Sequence, residues 1–399
     1  MTRRGLGAYL VLLIACGLVA ACGGEASPGQ REASATSGPE SPASPTVASA
    51  APDAAAVYSA THELQGIAGW INSEPLTLAD LKGKVVLLDF WTYTCVNCIR
   101  TFPFLREWHR KYGDLGLVIV GVHTPEFEFE RRYQNVQAAA VEHGLTYPIA
   151  QGNEHATWST FGVMVWPTKV IIGPDGELRY MHQGEGYYQE TELKIRELLR
   201  EIGADVESIP ISTDSGPKRD PIALSAGSGS ELTRELYGGF MRGGAGGGAY
   251  VINPEYYAAP NQELYYRDDG QRRNNFIFLE GVWRNGLESV RHARETENFE
   301  DYIGIEFFAS SVNAVLTPES EPGFTVMLTL DGRPLTLENK GADVFLDESG
   351  KSFIRVDRSR MYRLVELPQF GGGHELLLSS NSSAFALYAF TFGSYQEGP

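Results

Sequence analysis

The chain of 399 residues is long enough for two domains with separate cores. Hydrophobic residues make up 43% and aromatic residues 11%, so most of the chain is expected to fold. The formal net charge is -17, from 33 Lys and Arg against 50 Asp and Glu, and the sequence has no basic run. Because nucleic-acid binding depends on basic side chains that neutralise phosphates, no nucleic-acid partner is expected.

Residues 1–22 have the pattern of an export signal. A basic TRRG precedes a short apolar run, which Gly, Ser and Pro follow too soon for a membrane span. The run ends in VAAC, which closes at Cys22 and resembles the lipobox of bacterial lipoproteins. That resemblance implies that Cys22 becomes the lipidated first residue of the mature chain. A simple secretion signal cleaved nearby is the alternative.

Residues 23–57 are small and polar, with repeated proline. Such a composition buries too little apolar surface to offset chain entropy, so a flexible tether is predicted. The protein is therefore expected to be exported and lipid-anchored, at the outer face of the bacterial cytoplasmic membrane or in the periplasm.

The four cysteines divide into two groups. Cys16 leaves with the signal and Cys22 carries lipid, so only Cys95 and Cys98 remain in the folded part. An exported chain stapled by disulfides would spread its cysteines between distant segments. A single close pair favours a chemical role for these two cysteines over a structural disulfide.

Strand and helix patterns alternate over residues 58–203. KVVLLDF predicts a buried strand, and the helix pattern after WTYTCVNC ends at Gly113. LGLVIVGV predicts a second buried strand, RRYQNVQAAAVEHG a helix closed by Gly144, and TKVIIGPDGELRYMHQG a hairpin. A last helix is predicted over residues 190–203. This order predicts an α/β sandwich around a mixed sheet.

Cys95 and Cys98 lie where the first strand passes into the first helix. The free N–H groups and the dipole at a helix N-terminus favour an anion, so Cys95 is expected to be stabilised as a thiolate. Cys98, one turn further, lies on the same side and can attack a mixed disulfide formed at Cys95. A zinc site would need two more ligands, and no second CxxC or HxxxH motif supplies them, so neither a metal nor a cofactor is expected.

Further residues stand at fixed distances from this pair. Asp89 lies six residues before Cys95, Pro103 lies five residues after Cys98, and VWPT ends at Thr168. Together with CVNC, these positions resemble thioredoxin-like proteins, and among them the membrane-tethered TlpA/ResA type. The predicted fold of residues 58–203 is accordingly thioredoxin-like.

The same resemblance implies roles for individual residues. Asp89 would handle the proton of the second cysteine, Pro167 would follow a cis peptide bond beside the cysteines, and Glu126 would place an acid near the site. The resemblance also implies a substrate-binding group of Trp91, Trp166 and Thr168.

Alternatives remain open for several of these residues. Asp89 as a buried acid satisfied by backbone donors and Pro167 as a trans turn proline both fit the sequence. Glu128 and Glu130 stand beside Glu126, and any of the three fits a solvated face. Trp91, like Tyr93, fits either the core or a substrate platform.

A thiol peroxidase of the peroxiredoxin type is a further alternative. Thr92 and Cys95 have the T-x-x-C spacing with which peroxiredoxins activate a peroxidatic cysteine. Those enzymes also have a proline three residues before the threonine, and here that position is Asp89.

A polar linker is predicted over residues 204–220, and the pattern changes to short alternating strands over residues 221–399. FTVMLTLDG predicts a strand with a DG hairpin turn, VFLDESGKSFIRVD another hairpin, and FALYAFTFG a closing strand. These elements predict an all-β sandwich of the jelly-roll kind. GGFMRGGAGGGA lacks the GK[ST] of a phosphate loop and is predicted to be a flexible loop. Five rings fit either the core or sugar stacking: Tyr256, Tyr257, Tyr265, Tyr266 and Trp283.

A CVNC domain followed by a β-sandwich resembles the extracytoplasmic part of DipZ-type proteins. In that family a CcdA-like membrane electron carrier precedes a thioredoxin-like domain and a carbohydrate-binding-module-like domain. The resemblances imply an envelope thiol-disulfide oxidoreductase that reduces disulfide-containing envelope proteins, with cytochrome c maturation among the possible pathways. A separate CcdA-like protein would supply electrons. Besides the peroxidase, an envelope protein that binds glycan through the β domain remains an alternative.

Overall fold

The computed structural model describes residues 62–212, 232–243, 248–318 and 323–395. The predicted signal peptide, the predicted lipidation site Cys22 and the predicted tether lie outside these ranges, as do the second half of the predicted linker and part of the glycine-rich loop. Within the described ranges, no helix is long and apolar enough to cross a membrane.

The first domain is an α/β structure built on a six-stranded mixed sheet. Its elements in chain order are β1 (Trp70–Ile71), β2 (Val85–Trp91), α1 (Val96–Tyr112), β3 (Leu117–His123), α2 (Tyr133–Glu142), β4 (Ile149–Gln151), α3 (Ala156–Thr160), β5 (Thr168–Ile172), β6 (Leu178–Gln183) and α4 (Tyr188–Glu201).

The strand order is β1-β4-β3-β2-β5-β6. β2, β3 and β4 run parallel, whereas β1, β5 and β6 pair antiparallel with their neighbours. All seven residues of β2 are buried, as expected for a central strand covered on both faces. Cys95 is the N-cap of α1 and Gly113 its C-cap, so both predicted ends of that helix are confirmed. The predicted thioredoxin-like α/β class is confirmed as well.

The second domain is all-antiparallel, and its strands join into one ten-stranded sheet. Its strands are β7 (Leu236–Tyr237), β8 (Glu263–Tyr266), β9 (Ile277–Asn285), β10 (Val290–His292), β11 (Asp301–Pro318), β12 (Phe324–Leu330), β13 (Val344–Leu346), β14 (Ser352–Val356), β15 (Arg360–Ser380) and β16 (Phe385–Gly393).

The prediction of an all-β domain is confirmed, but the prediction of uniformly short strands is wrong. β11 has 18 residues and β15 has 21, and they pair along most of their length. The first part of β11 also pairs with β9 and the last part with β16. Register shifts at Phe307/Phe308 and Ala309/Ser311 let the strand bend, so that its first and last parts pair with different strands on one side.

The predicted DG turn after β12 forms without the expected hairpin. Asp331 and Gly332 have φ of 51° and 73°, and Leu330 and Arg333 exchange backbone hydrogen bonds of 2.7 and 3.0 Å. Beyond this bridge the chain leaves the strand, and β12 pairs with β14 and β15 instead. The turn chemistry was therefore predicted correctly, whereas the partner strands come from distant sequence.

The two domains pack against each other through a continuous apolar cluster. The ring of Tyr388 in β16 lies 5.1 Å from that of Phe127 and 4.8 Å from that of Phe129. Arg358 of the second domain also pairs with Glu142 in α2, at 3.1 Å. The β domain is thus held against the first domain by packing as well as by charge.

The described part of the predicted linker, residues 204–212, also packs on the first domain. Val206 is buried, and Arg196 in α4 donates hydrogen bonds to the carbonyl oxygens of Val206 and Ile209. The boundaries 58–203 and 221–399 stay predictions.

Candidate functional site

Cys95 lies at the entrance to α1 and is partly exposed. Its sulfur accepts a hydrogen bond from the backbone N–H of Cys98 at 3.2 Å. A thiolate at this point gains from that donor and from the positive end of the helix dipole. The predicted position of Cys95 at the helix N-terminus is therefore present in the structure.

Cys98 is completely buried one turn into α1. Burial raises the pKa of its thiol well above the usual value, and the neighbouring Cys95 and the negative charge of Asp89 raise it further. The two cysteines therefore differ. Cys95 is partly exposed, whereas the raised pKa of the buried Cys98 means that a base has to accept its proton.

Asp89 lies in the middle of β2 with no exposed surface. Burial raises the pKa of its carboxyl from 3.8 to about 6, and the ammonium group of Lys169 limits that rise. The Lys169 nitrogen lies 3.8 Å from a carboxylate oxygen of Asp89, and both side chains are fully buried. The two residues face each other across the β2–β5 pair, so sheet register brings them together. Apart from this ion pair, neither side chain has a hydrogen-bond partner among the described residues.

The peptide bond between Trp166 and Pro167 is cis, as expected. The Trp166 indole N–H donates to the carbonyl oxygen of Thr124 at 3.1 Å, which fixes the ring beside β3. Thr168 is buried and its hydroxyl donates to the carbonyl oxygen of Val165 at 2.7 Å. Val165 is itself 43% exposed, so this loop presents an apolar surface that the sequence prediction missed.

Trp91 has no exposed surface and packs edge-on against Phe102 and His123. Tyr93 is 4% exposed and stacks on His123 with ring centroids 5.7 Å apart. Burial lowers the pKa of His123 to about 3, so its ring is neutral at physiological pH. This burial favours the core alternative for Trp91 and Tyr93 over a substrate platform.

Two carboxylates after β3 have different surroundings. Glu126 accepts hydrogen bonds from Tyr237 at 3.0 Å and from Arg242 at 2.9 Å, both in the second domain. Glu130 is fully buried and accepts a hydrogen bond of 2.6 Å from Thr94, the residue before Cys95. Burial raises the pKa of Glu130 to about 7, although its hydrogen bonds oppose the rise. Glu130 is thus the carboxylate that is hydrogen-bonded to the residue before the CVNC motif, while Glu126 is hydrogen-bonded to the β domain.

The second domain also contacts the motif helix through its last described residue, Tyr395, which follows β16. The guanidinium of Arg100 in α1 lies 4.4 Å from the ring centre of Tyr395 and pairs with Glu185 at 3.0 Å. The Tyr395 hydroxyl donates to the same carboxylate at 3.2 Å. Arg100 donates in turn to the amide oxygen of Asn97, between the two cysteines. A β-domain residue is therefore linked to the CVNC motif by two side-chain contacts.

The aromatic residues of the second domain that sequence left undecided are mostly core. Tyr256, Tyr266 and Trp283 have no exposed surface, and Tyr257 is half-buried and packs beside Tyr256. Only Tyr265 among the five is largely exposed, at 54%.

Sequence reasoning missed Lys169, Arg100 and Tyr395, and it left Glu130 undecided beside Glu126. Lys169 had a visible signal, because a lysine within the apolar run TKVII needs a buried counter-charge. The contact of Tyr395 with Arg100 joins residues far apart in the chain and had no local signal.

Two protein families match the chain. The AhpC/TSA family matches residues 49–181, and a family described as thioredoxin-like C-terminal domain matches residues 233–393. The two matches follow the order predicted from the sequence, with a redox domain first and a separate β domain after it.

The chain is similar to three curated proteins that it covers to different extents. DipZ of Mycobacterium tuberculosis (strain CDC 1551 / Oshkosh) is 40% identical over 286 residues, which are 70% of this chain and 37% of DipZ. The thiol-disulfide oxidoreductase YkuV of Bacillus subtilis is 31% identical over 140 residues, which are 35% of this chain and 93% of YkuV. The thiol-disulfide oxidoreductase ResA of Bacillus thuringiensis is 27% identical over 132 residues, 33% of this chain and 71% of ResA. The resemblances to ResA-type and DipZ-type proteins are confirmed, although the chain spans little more than a third of DipZ.

Proposed function

The chain belongs to the thioredoxin-like thiol-disulfide oxidoreductases, and from this premise we propose that it reduces disulfides of extracytoplasmic proteins through Cys95 and Cys98. The observation that carries the proposal is the pairing of a partly exposed Cys95 sulfur at a helix N-terminus with a buried Cys98 near Asp89. A nucleophile and a resolving thiol have these two environments.

The proposed reaction has two exchange steps. The Cys95 thiolate attacks one sulfur of the substrate disulfide, forms a mixed disulfide and releases the other substrate sulfur as a thiolate. Asp89 then accepts the proton of Cys98, directly or through water, and the Cys98 thiolate attacks the Cys95 sulfur. The second substrate sulfur leaves, so that two electrons have passed from the protein dithiol to the substrate.

The reduction potential of the Cys95–Cys98 pair tests the direction of this reaction. We expect a value near or below roughly -250 mV, in the range of reductants. The measurement equilibrates the protein in dithiothreitol or glutathione buffers and counts the alkylated thiols by mass. A value of roughly -120 to -180 mV would identify an oxidant or isomerase and reverse the proposed direction. If no reversible disulfide forms, the redox function itself is wrong.

Replacement of Asp89 by asparagine is expected to slow the second step. A carboxylate base works only when deprotonated, so the rate should rise with pH through about 6 in the unmodified protein. In Asp89→Asn this rise should disappear, and resolution of the mixed disulfide at neutral pH should fall roughly 100-fold. Single-turnover measurements with quenching by acid separate the two steps. A pH profile that keeps its rise near 6 in Asp89→Asn would assign the titration to another group.

We further propose that the protein is exported and held at the membrane by lipid on Cys22, with residues 23–57 as its tether. The VAAC pattern at the end of the apolar run supports this proposal. Incorporation of labelled fatty acid that persists in Cys22→Ala would contradict it. In this location the substrates are disulfide-containing envelope proteins, those of cytochrome c maturation among them, and a CcdA-like membrane protein supplies the electrons.

A thiol peroxidase is the second candidate, and the match to the AhpC/TSA family favours it. Against it, the hydroxyl of Thr92 lies 3.4 Å from His123, and Asp89 occupies the position of the peroxiredoxin proline. Fast peroxide consumption that needs Cys95 and survives Cys98→Ser would favour the peroxidase.

A further inference from the structure

A cleft of about 430 Å³ lies between the motif helix and the second domain. Val96, Asn97 and Arg100 of α1 line one side, and Leu232, Arg234 and Tyr395 are among the β-domain residues on the other. Its volume falls within the range of ligand-binding pockets, about 300–1,000 Å³.

The floor of this cleft is part of the redox motif. Val96 and Asn97 are the two residues between Cys95 and Cys98. A group bound here therefore contacts residues that directly follow Cys95, whose sulfur we propose attacks the substrate. A site beside the motif is suited to the chain that flanks a substrate cysteine.

The β-domain wall of the cleft is held in place from behind. Thr233 is buried, and its backbone N–H donates to the carbonyl oxygen of Phe308 at 3.1 Å. Arg234 stacks on the ring of Tyr250 at 4.5 Å. Because these contacts exist without a substrate, the wall does not need to order when one binds, which lowers the entropic cost of binding.

The chemistry of the lining fits a peptide with little net charge. Arg100 and Arg234 are balanced by the two acidic lining residues, Glu185 and Glu235, so the cleft does not select a highly charged ligand. Leu232 is 39% exposed and offers an apolar contact.

Hydrogen-bonding groups complete the lining. The exposed side chain of Asn97 is a donor and acceptor of the kind that pairs with peptide groups, whereas Thr391 and Ser394 are buried in the wall. Of the two rings in the lining, Phe392 is buried and Tyr395 is stacked on Arg100, so sugar stacking is not favoured.

We propose that this cleft, defined by the α1 floor and the β-domain wall, binds the polypeptide segment on one side of the substrate cysteine, so that the β domain selects the substrate. The proposal rests on the proposed function and specifies its substrate class: a cysteine within an accessible, extended segment of weak net charge and with an apolar residue next to it. A small disulfide without flanking residues would reach Cys95 and make no use of the cleft.

The test compares reduction of small and peptide disulfides by the whole protein. The substrates are mixed disulfides of 2-nitro-5-thiobenzoate with N-acetylcysteine amide, and with short peptides that extend the same cysteine on its N-terminal or its C-terminal side. We expect extension on one side to raise the second-order rate constant. In Leu232→Trp, whose larger side chain fills the cleft, this gain should fall by about fivefold or more. The rate constant for the mixed disulfide of N-acetylcysteine amide itself should be the same in Leu232→Trp as in the unmodified protein.

Leu337→Trp is the matched control, because Leu337 is also in the β domain, is 80% exposed and does not line the cleft. This variant should keep the full gain from peptide extension. If Leu232→Trp keeps the gain too, or slows small and peptide disulfides equally, the cleft does not bind the substrate segment. Inhibition of the unmodified protein by soluble oligosaccharides, with no effect of peptide extension, would assign the cleft to glycan instead. If the unmodified protein does not reduce the mixed disulfide of N-acetylcysteine amide at all, the oxidoreductase function is refuted rather than the role of the cleft.

Discussion

Replacement of Cys95 by serine is expected to reduce disulfide exchange to the rate measured without protein. Cys95 is the more exposed of the two sulfurs and receives the N–H of Cys98, so the first attack has no second nucleophile of equal access. Reduction of insulin disulfides in dithiothreitol, followed by turbidity, measures the effect. Exchange that survives in Cys95→Ser would refute the mechanism at its first step.

Cys98→Ser is the matched control for this prediction, because it removes the other sulfur by the same change. This variant should still attack a substrate disulfide but should accumulate the mixed disulfide at Cys95, since the buried Cys98 thiol is no longer present to resolve it. Non-reducing electrophoresis and mass spectrometry detect that species. Equal loss of the first attack in both variants would mean that the two cysteines do not have separate roles.

Lys169→Met is expected to destabilise the fold by about 3–5 kcal/mol at about pH 8, because it leaves a buried carboxylate without its counter-charge. The pKa of Asp89 is about 6 in the folded protein and 3.8 in a free chain, so ionisation of this group costs stability. The corresponding stability is complete at low pH and is lost as pH rises from about 4 through about 6. Without Lys169 the pKa of Asp89 in the folded protein rises further, so the loss of stability continues to a higher pH. Urea unfolding at several pH values measures the difference.

A second variant and a surface control make this prediction specific. Addition of Asp89→Asn to Lys169→Met removes both buried charges and should recover most of the lost stability and its pH dependence. Lys194→Met removes a partly exposed ammonium only 2.8 Å from the exposed Glu197 and should change stability by about 0.5 kcal/mol or less. The exposed pair is closer than the buried pair at 3.8 Å, yet water screens it. If Lys169→Met costs no more than Lys194→Met, Asp89 is not charged in the folded protein.

The buried pair also explains why the β2–β5 register matters to the proposed chemistry. Asp89 alone, at full burial, would hold its proton to higher pH and would be a poor base at neutral pH. Lys169 opposes this rise in the pKa of Asp89, so the carboxyl loses its proton at a lower pH. We regard it as a positioning residue, which acts through the protonation state of Asp89.

The β domain contacts the first domain at two places near the CVNC motif. Tyr237 and Arg242 bind Glu126 after β3, and Tyr395 binds Arg100 in α1. A domain that only tethered the redox domain would not need contacts this close to the motif. The proposed cleft gives these contacts a purpose, because a fixed wall beside the cysteines can distinguish one substrate from another.

The sequence by itself determined the class of the first domain and its larger elements, but not the short β1, β4 and α3. KVVLLDF, with its continuous apolar run, is β2, and the helix from the CVNC motif to Gly113 is α1. These patterns are local: burial on both faces requires an apolar residue at each position, and a helix ends where glycine follows its last turn. The position of Cys95 at a helix N-terminus followed from the same patterns, since a strand and a helix fixed it from either side.

The second domain was predictable in class and not in arrangement. Alternation in FTVMLTLDG identified β12, but the pairing of β11 with β9, β15 and β16 joins segments far apart in the chain. A strand pattern states which face is buried and does not state which strand lies beside it. The length of β11 and β15 depends on bulges, which have no strong local signal here.

The residues of the site also fall into two groups, those predicted from the sequence and those decided by the tertiary structure. CVNC, Asp89 and the cis peptide bond before Pro167 were predicted from spacing and resemblance, because each belongs to one short segment. Lys169 opposite Asp89 and Tyr395 against Arg100 were decided only by tertiary structure. Their partners meet through sheet register and domain packing, and the energies of such contacts depend on burial and distance. Neither quantity exists until the chain has folded.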